Sequence, residues 1–172
     1  SSSPMSTPRS IPSLLACLLM MTTLTLEARK IDREQPMNVQ SDHSDGGLGD
    51  DDTLRLIGNV RINQGSLSIQ AERATIERRD GDIARIILEG RPVRMDQLTD
   101  RGEPVKATAA RITYTPTDEI LLLTGAARVE QPRGTMAAET IRYNLDTGTI
   151  NSGGDGDRVQ MVIQPRTRAA AN

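Results

Sequence analysis

The chain has 172 residues, 21 Lys plus Arg against 23 Asp plus Glu, a net charge of −2, and two Tyr as its only aromatics. Without a basic face or a set of stacking rings it is not built to bind nucleic acid, and none is expected as a partner. Its length suits one domain, whose core must come from Ile, Leu, Val, Met and Ala.

The first distinctive element is "RSIPSLLACLLMMTTLTLEARK", from Arg9 to Lys30. A basic residue, an apolar run of about sixteen residues and then Ala28 before a basic pair form the layout of an export signal. Residues 1–28 are therefore read as a signal peptide and the product as an exported protein. The run falls short of the roughly 20 residues a membrane span needs; retention of Leu14 to Leu26 as an anchor is the alternative. Cys17, the single cysteine, lies in the middle of the run, whereas a lipidated cysteine would close it. Cleavage would leave no cysteine and no disulfide.

From Ile31 onwards apolar residues recur at every second position, the signature of half-buried strands. In "LRLIGNVRI" one face carries Leu54, Leu56, Val60 and Ile62, and "SLSIQA" adds Leu67, Ile69 and Ala71. "ARITY" contributes Ile112 and Tyr114, "ETIRYNL" Ile141, Tyr143 and Leu145, and "RVQMVI" Val159, Met161 and Ile163. No window sustains a helical stripe. Tight-turn residues separate the runs in "RDGD", "TPTDE" and "DTG". The acidic, Gly-rich stretch from Ser41 to Asp52 reads as a mobile loop and residues 165–172 as a disordered tail. The domain proper is residues 29–164, all-β.

The chain also repeats itself. At an offset of 67 residues Gly58 matches Gly125, Gln64 matches Gln131 and Ala71-Glu72 matches Ala138-Glu139. At an offset of 29, Ala109, Ile112 and Tyr114 match Ala138, Ile141 and Tyr143. Each unit is two or three strands and a hairpin, which cannot bury its apolar face alone and must stack on its neighbours.

Motifs of catalysis or metal binding have plainer readings. "DTG" at Asp146 to Gly148 is shared with aspartic proteases, but the matching position of the first copy is the ordinary turn Asp80-Gly81. "GGDGD" would need tandem copies to hold calcium. His43, the only histidine, has no second nitrogen ligand. No catalytic residue, metal site or cofactor is assigned, and the protein is not read as an enzyme. What remains is an exported strand ladder whose sheet edges can accept further strands. Its aliphatic face either packs as a closed sandwich or leaves a trough for acyl chains, at roughly 0.8 kcal/mol per buried CH2.

The ordered set "QPMNVQSD", "LIGNVRINQGSLSIQAERATI", "GRPVRMDQL", "GEPVKATA", "LLTGAARVEQ" and "RVQMVIQP" resembles the LptA (OstA-like) family of periplasmic lipopolysaccharide-transport proteins. The resemblance spans Gln35 to Pro165. It implies an open antiparallel β-jelly roll with a hydrophobic groove, in the periplasm. It further implies end-to-end self-association between an LptC-like inner-membrane partner and an LptD-like outer-membrane partner. The cargo would be lipopolysaccharide, its lipid A chains in the groove. By position Met37 and Val39 match groove sites near the receiving end, and Met95 stands where family members carry an aromatic ring. Strand parity adds Leu56, Val60, Ile62, Leu67, Ile69, Ile112, Tyr114, Ile141 and Tyr143 as inward positions. Arg78 and Arg91 are candidates for lipid A phosphates, against the plainer reading of solvated charge.

Overall fold

The computed structural model describes residues 34–99, 101–153 and 156–165. The expected signal peptide and all of the expected tail beyond Pro165 lie outside the described residues. The strands are β1 (Asn38–Gln40), β2 (His43–Gly46), β3 (Thr53–Gln64), β4 (Leu67–Arg79), β5 (Asp82–Leu98), β6 (Pro104–Thr115), β7 (Ile120–Gln131), β8 (Gly134–Asn144), β9 (Ile150–Ser152) and β10 (Gln160–Ile163). They form one antiparallel sheet that does not close on itself. Its order is β1-β3-β4-β5-β6-β7-β8-β10, with β2 also on β3 and β9 also on β8.

Every long strand changes direction midway, and the repeated sequence marks the place. Gly58 and Asn59 on β3 have φ of +82° and +47°, and Gly125 and Ala126 on β7 have +85° and +45°. Each pair faces one residue of the next strand: the register passes from Ile57↔Arg73 to Val60↔Ala71, and from Thr124↔Thr140 to Ala127↔Ala138. These are two-against-one bulges, which bend a strand and tighten its twist. Their single opposing residues are Glu72 and Glu139, and Glu139 accepts a 3.3 Å bond from the Ala126 amide. On β5, Gly90, Arg91 and Pro92 lie opposite Ala110. Strands β4, β6 and β8 cross the bend by Ala-x-x-apolar steps: Ala71 to Ala74, Ala109 to Ile112 and Ala138 to Ile141. A step of three reverses the period-two parity and keeps both ends facing inward.

Bent this way, the two halves of the sheet cover each other. A single flat layer could not bury its own face, yet Ile62, Ile86, Leu88, Val93, Ile112, Leu121, Leu123 and Ile141 are 0% exposed. They belong to one continuous apolar cluster drawn from both halves.

The stretch from Ser41 to Asp52 differs from the expected loop. His43–Gly46 is strand β2, paired with β3, and the remainder is strapped to the β4–β5 turn. The amides of Arg78 and Gly81 donate to the carbonyls of Asp52 and Asp50 at 3.0 and 3.1 Å. The amides of Gly49 and Asp80 donate to carboxylates of Asp52 and Asp51 at 2.8 and 3.1 Å. The acidity that argued for a loop serves here to cap backbone donors.

Candidate functional site

The inner face is organised in rows of directly paired residues. In the half carrying β1 and β10 the row reads Val39, Ile62, Ile69, Met95, Ala107, Val129, Met136, Met161. It is apolar on all eight strands, and at roughly 4.8 Å per strand step it runs about 34 Å. The facing half carries Leu56, Ala74, Leu88, Ile112, Leu123 and Ile141 in one row. Beside it lies Leu54, Ile76, Ile86, Tyr114, Leu121, Tyr143 and Ile150. No polar or charged side chain is buried among the described residues.

All twelve positions read from the sequence lie on this inner face. Leu56, Val60, Ile62, Leu67, Ile69, Met95, Ile112, Tyr114, Ile141 and Tyr143 are buried, and Met37 and Val39 pack against the same cluster while partly exposed. Apart from Met95, sequence reasoning named no inward residue on β5 or β7, whose Ile86, Leu88, Val93, Leu121, Leu123, Ala127 and Val129 are equally buried. Their runs "IARIIL" and "ILLL" carry apolar residues at both parities, so alternation could not choose a face; the registers with β4, β6 and β8 could. Met161 and Ile163 have the expected parity but stay exposed at 54% and 74%, because β10 is the edge of the sheet among the described residues.

The interior is filled by its own side chains, so a guest must part the two halves at their rims. The first rim consists, among the described residues, of the turns at 64–67, 98–99 with 101–104, and 131–134, where the Leu98 amide reaches Ser66 Oγ at 3.5 Å. The second consists of 47–52, 78–82, 115–120 and 144–149, where the Leu145 amide donates to Glu119 O at 2.8 Å. Arg78 belongs to the second rim, and its guanidinium donates to the carbonyls of Leu48 and Gly81. It is a clamp on the acidic strap, which leaves it poorly placed for a phosphate. Arg91 is exposed at the bend, away from both rims. "DTG" forms the β8–β9 turn, with the amides of Asp146 and Thr147 donating to Asn144 Oδ1 at 2.9 and 2.8 Å. Among the described residues no three His, Cys, Asp or Glu side chains converge on a possible metal site.

Residues 38–149 match the model of the family described as LptA/(LptD N-terminal domain) LPS transport protein. The chain belongs to that family. It is 26% identical over 159 residues to the lipopolysaccharide export system protein LptA of Escherichia coli K12, covering 91% of this chain and 85% of that relative. It is 30% identical over 149 residues to the lipopolysaccharide export system protein LptH of Pseudomonas aeruginosa, covering 80% and 84%. The crystal structure of LptH, titled as the LptA-homologous periplasmic component of the lipopolysaccharide transport device, superposes with a TM-score of 0.71 at 28% identity. That match covers 78% of this chain and 99% of LptH. The family fold is thus the open, bent sheet described above.

Proposed function

We propose that this protein carries lipopolysaccharide across the periplasm, holding the lipid A acyl chains between the two halves of its sheet. The observation that carries this reading is the eight-strand apolar row, which continues to both edges of the sheet: Val39 is partly exposed at one and Met161 is exposed at the other. An uninterrupted apolar track suits cargo that moves along it, and an edge strand can pair with the sheet of a neighbour. We assign the β1/β2 edge and the β9/β10 edge to end-to-end contact with further copies, an LptC-like partner and an LptD-like partner. The twelve inner-face residues and their counterparts on β5 and β7 are the lipid contacts. The relatives are named for export, and no catalytic step is assigned to the chain.

Native mass spectrometry of the purified mature protein with lipopolysaccharide tests the reading. A lipopolysaccharide adduct is expected. A folded protein that takes up none would be a packed scaffold, and the reading would fall.

A further inference from the structure

The inner face is apolar up to the first rim, and there its composition changes. Gln64, Gln97 and Gln131 each lie two residues beyond an inward residue of the long row, Ile62, Met95 and Val129, which are 0%, 1% and 1% exposed. Side chains alternate along a strand, so all three glutamines face the same inward side. All three are half-buried, and they occupy the rim ends of alternate strands β3, β5 and β7. Leu67 and Val105, on β4 and β6, sit between them in register, through Gln64↔Leu67 and Gln97↔Val105. The spacing between successive glutamines is therefore two strand steps, roughly 10 Å. Gln64 Nε2 donates to Gln35 O at 3.1 Å.

The second rim has a different chemistry. Its turns hold Asp50, Asp51, Asp52, Asp80, Asp82, Asp118, Glu119 and Asp146 against Arg78 and Arg79. Among the described residues the first rim's turns set Glu103 against Arg101 and Arg133. Facing sheets pack about 10 Å apart, close to the screening length of about 8 Å in physiological salt. An anionic head at the mouth is therefore repelled from one rim and not from the other.

We propose that Gln64, Gln97 and Gln131 form a hydrogen-bonding belt for the amide and ester carbonyls and the hydroxyls that join acyl chains to the sugar head of the bound lipid. The head then leaves the groove over the first rim. This rests on the lipid-carrier reading above. A carboxamide both donates and accepts, which suits a mixture of carbonyls and hydroxyls, and it carries no charge that would hold a phosphate in place. Three stations along the groove let the cargo exchange one for the next as it advances, with Gln64 giving up its bond to Gln35 O when it is engaged. The 67-residue repeat that matches Gln64 with Gln131 then preserves a function as well as a corner.

The test uses the purified mature protein loaded with lipopolysaccharide and a photoreactive residue at Val39, Pro132 or Thr117. Adducts are expected at Val39, on the row, and at Pro132, on the first rim, with at least tenfold less at Thr117 on the second. Equal adducts at Pro132 and Thr117, or more at Thr117, overturn the orientation while the Val39 adduct preserves the carrier reading. No adduct at Val39 overturns both. The double variant Gln97→Leu/Gln131→Leu separates belt from groove. It should bind lipopolysaccharide about tenfold more weakly, the loss of about two neutral hydrogen bonds. Its uptake of pyrene-labelled dodecane should be unchanged, which also reports that the fold is intact. Undiminished lipopolysaccharide affinity, or equal loss of both ligands, overturns the belt.

Discussion

The bend predicts a specific sensitivity at Gly125. A Cβ on Gly125 would lie 2.7 Å from the Cβ of Ala110 on the neighbouring strand, and its φ of +85° disfavours any L side chain. The left-handed conformation costs about 1 kcal/mol. Opening the contact by nearly an ångström in a packed corner costs about 1–3 kcal/mol more. The reduced freedom of the unfolded chain returns about 0.4–1 kcal/mol. Gly125→Ala should therefore destabilise the protein by about 2 kcal/mol, measured by urea unfolding. Gly102 supplies the control: its φ is +73° and an added Cβ would meet nothing within 4 Å, so Gly102→Ala should incur only the backbone part. Combining Gly125→Ala with Ala110→Gly removes the contact and should recover about 1 kcal/mol as a coupling energy. If Gly125→Ala costs no more than Gly102→Ala, or if the double variant shows no coupling, the corner is not under the steric constraint described here.

Three further outcomes follow from the packing. Ile112→Ala, at a fully buried position between Leu88 and Leu123, should lower stability by about 3 kcal/mol in the same assay through the cavity it leaves. Arg78→Ala should release the acidic strap, seen as faster amide exchange at Asp80, Gly81 and Gly49 with little change in the core strands. Glu89→Gln removes an ion pair to Arg111 whose side chains are 42% and 55% exposed, so urea unfolding should move by less than about 0.5 kcal/mol.

Many of the strands and half of the inner face were legible because alternation is a direct imprint of the pleat, and the tight-turn residues marked the hairpins. The repeat was legible too, and the structure supplies its physical meaning: Gly58 and Gly125 are where β3 and β7 take an extra residue around the bend. What alternation could not reveal was the bend itself. A three-residue step such as Ala71 to Ala74 looks like a lapse in the pattern until the sheet is seen to fold there. Apart from Met95, β5 and β7 were opaque for a related reason, since Ile87 and Leu122 place apolar side chains on the outer face and blur the parity. The acidic stretch misled because composition counts charges without knowing which carboxylates cap backbone amides. The glutamine stripe needed the registers, because three residues on three strands become a row only when pairing aligns them.

The most direct test of the central claim, that the apolar row is a path for lipopolysaccharide, is photo-crosslinking in living cells with probes at Val39 and Met95 and an exposed control at Asp51. Lipopolysaccharide adducts at Val39 and Met95 and none at Asp51 would match both the cargo and the facing of the row. An exported, folded protein with no adduct at either row position would contradict the account and leave a bent sheet whose interior serves only to hold itself together.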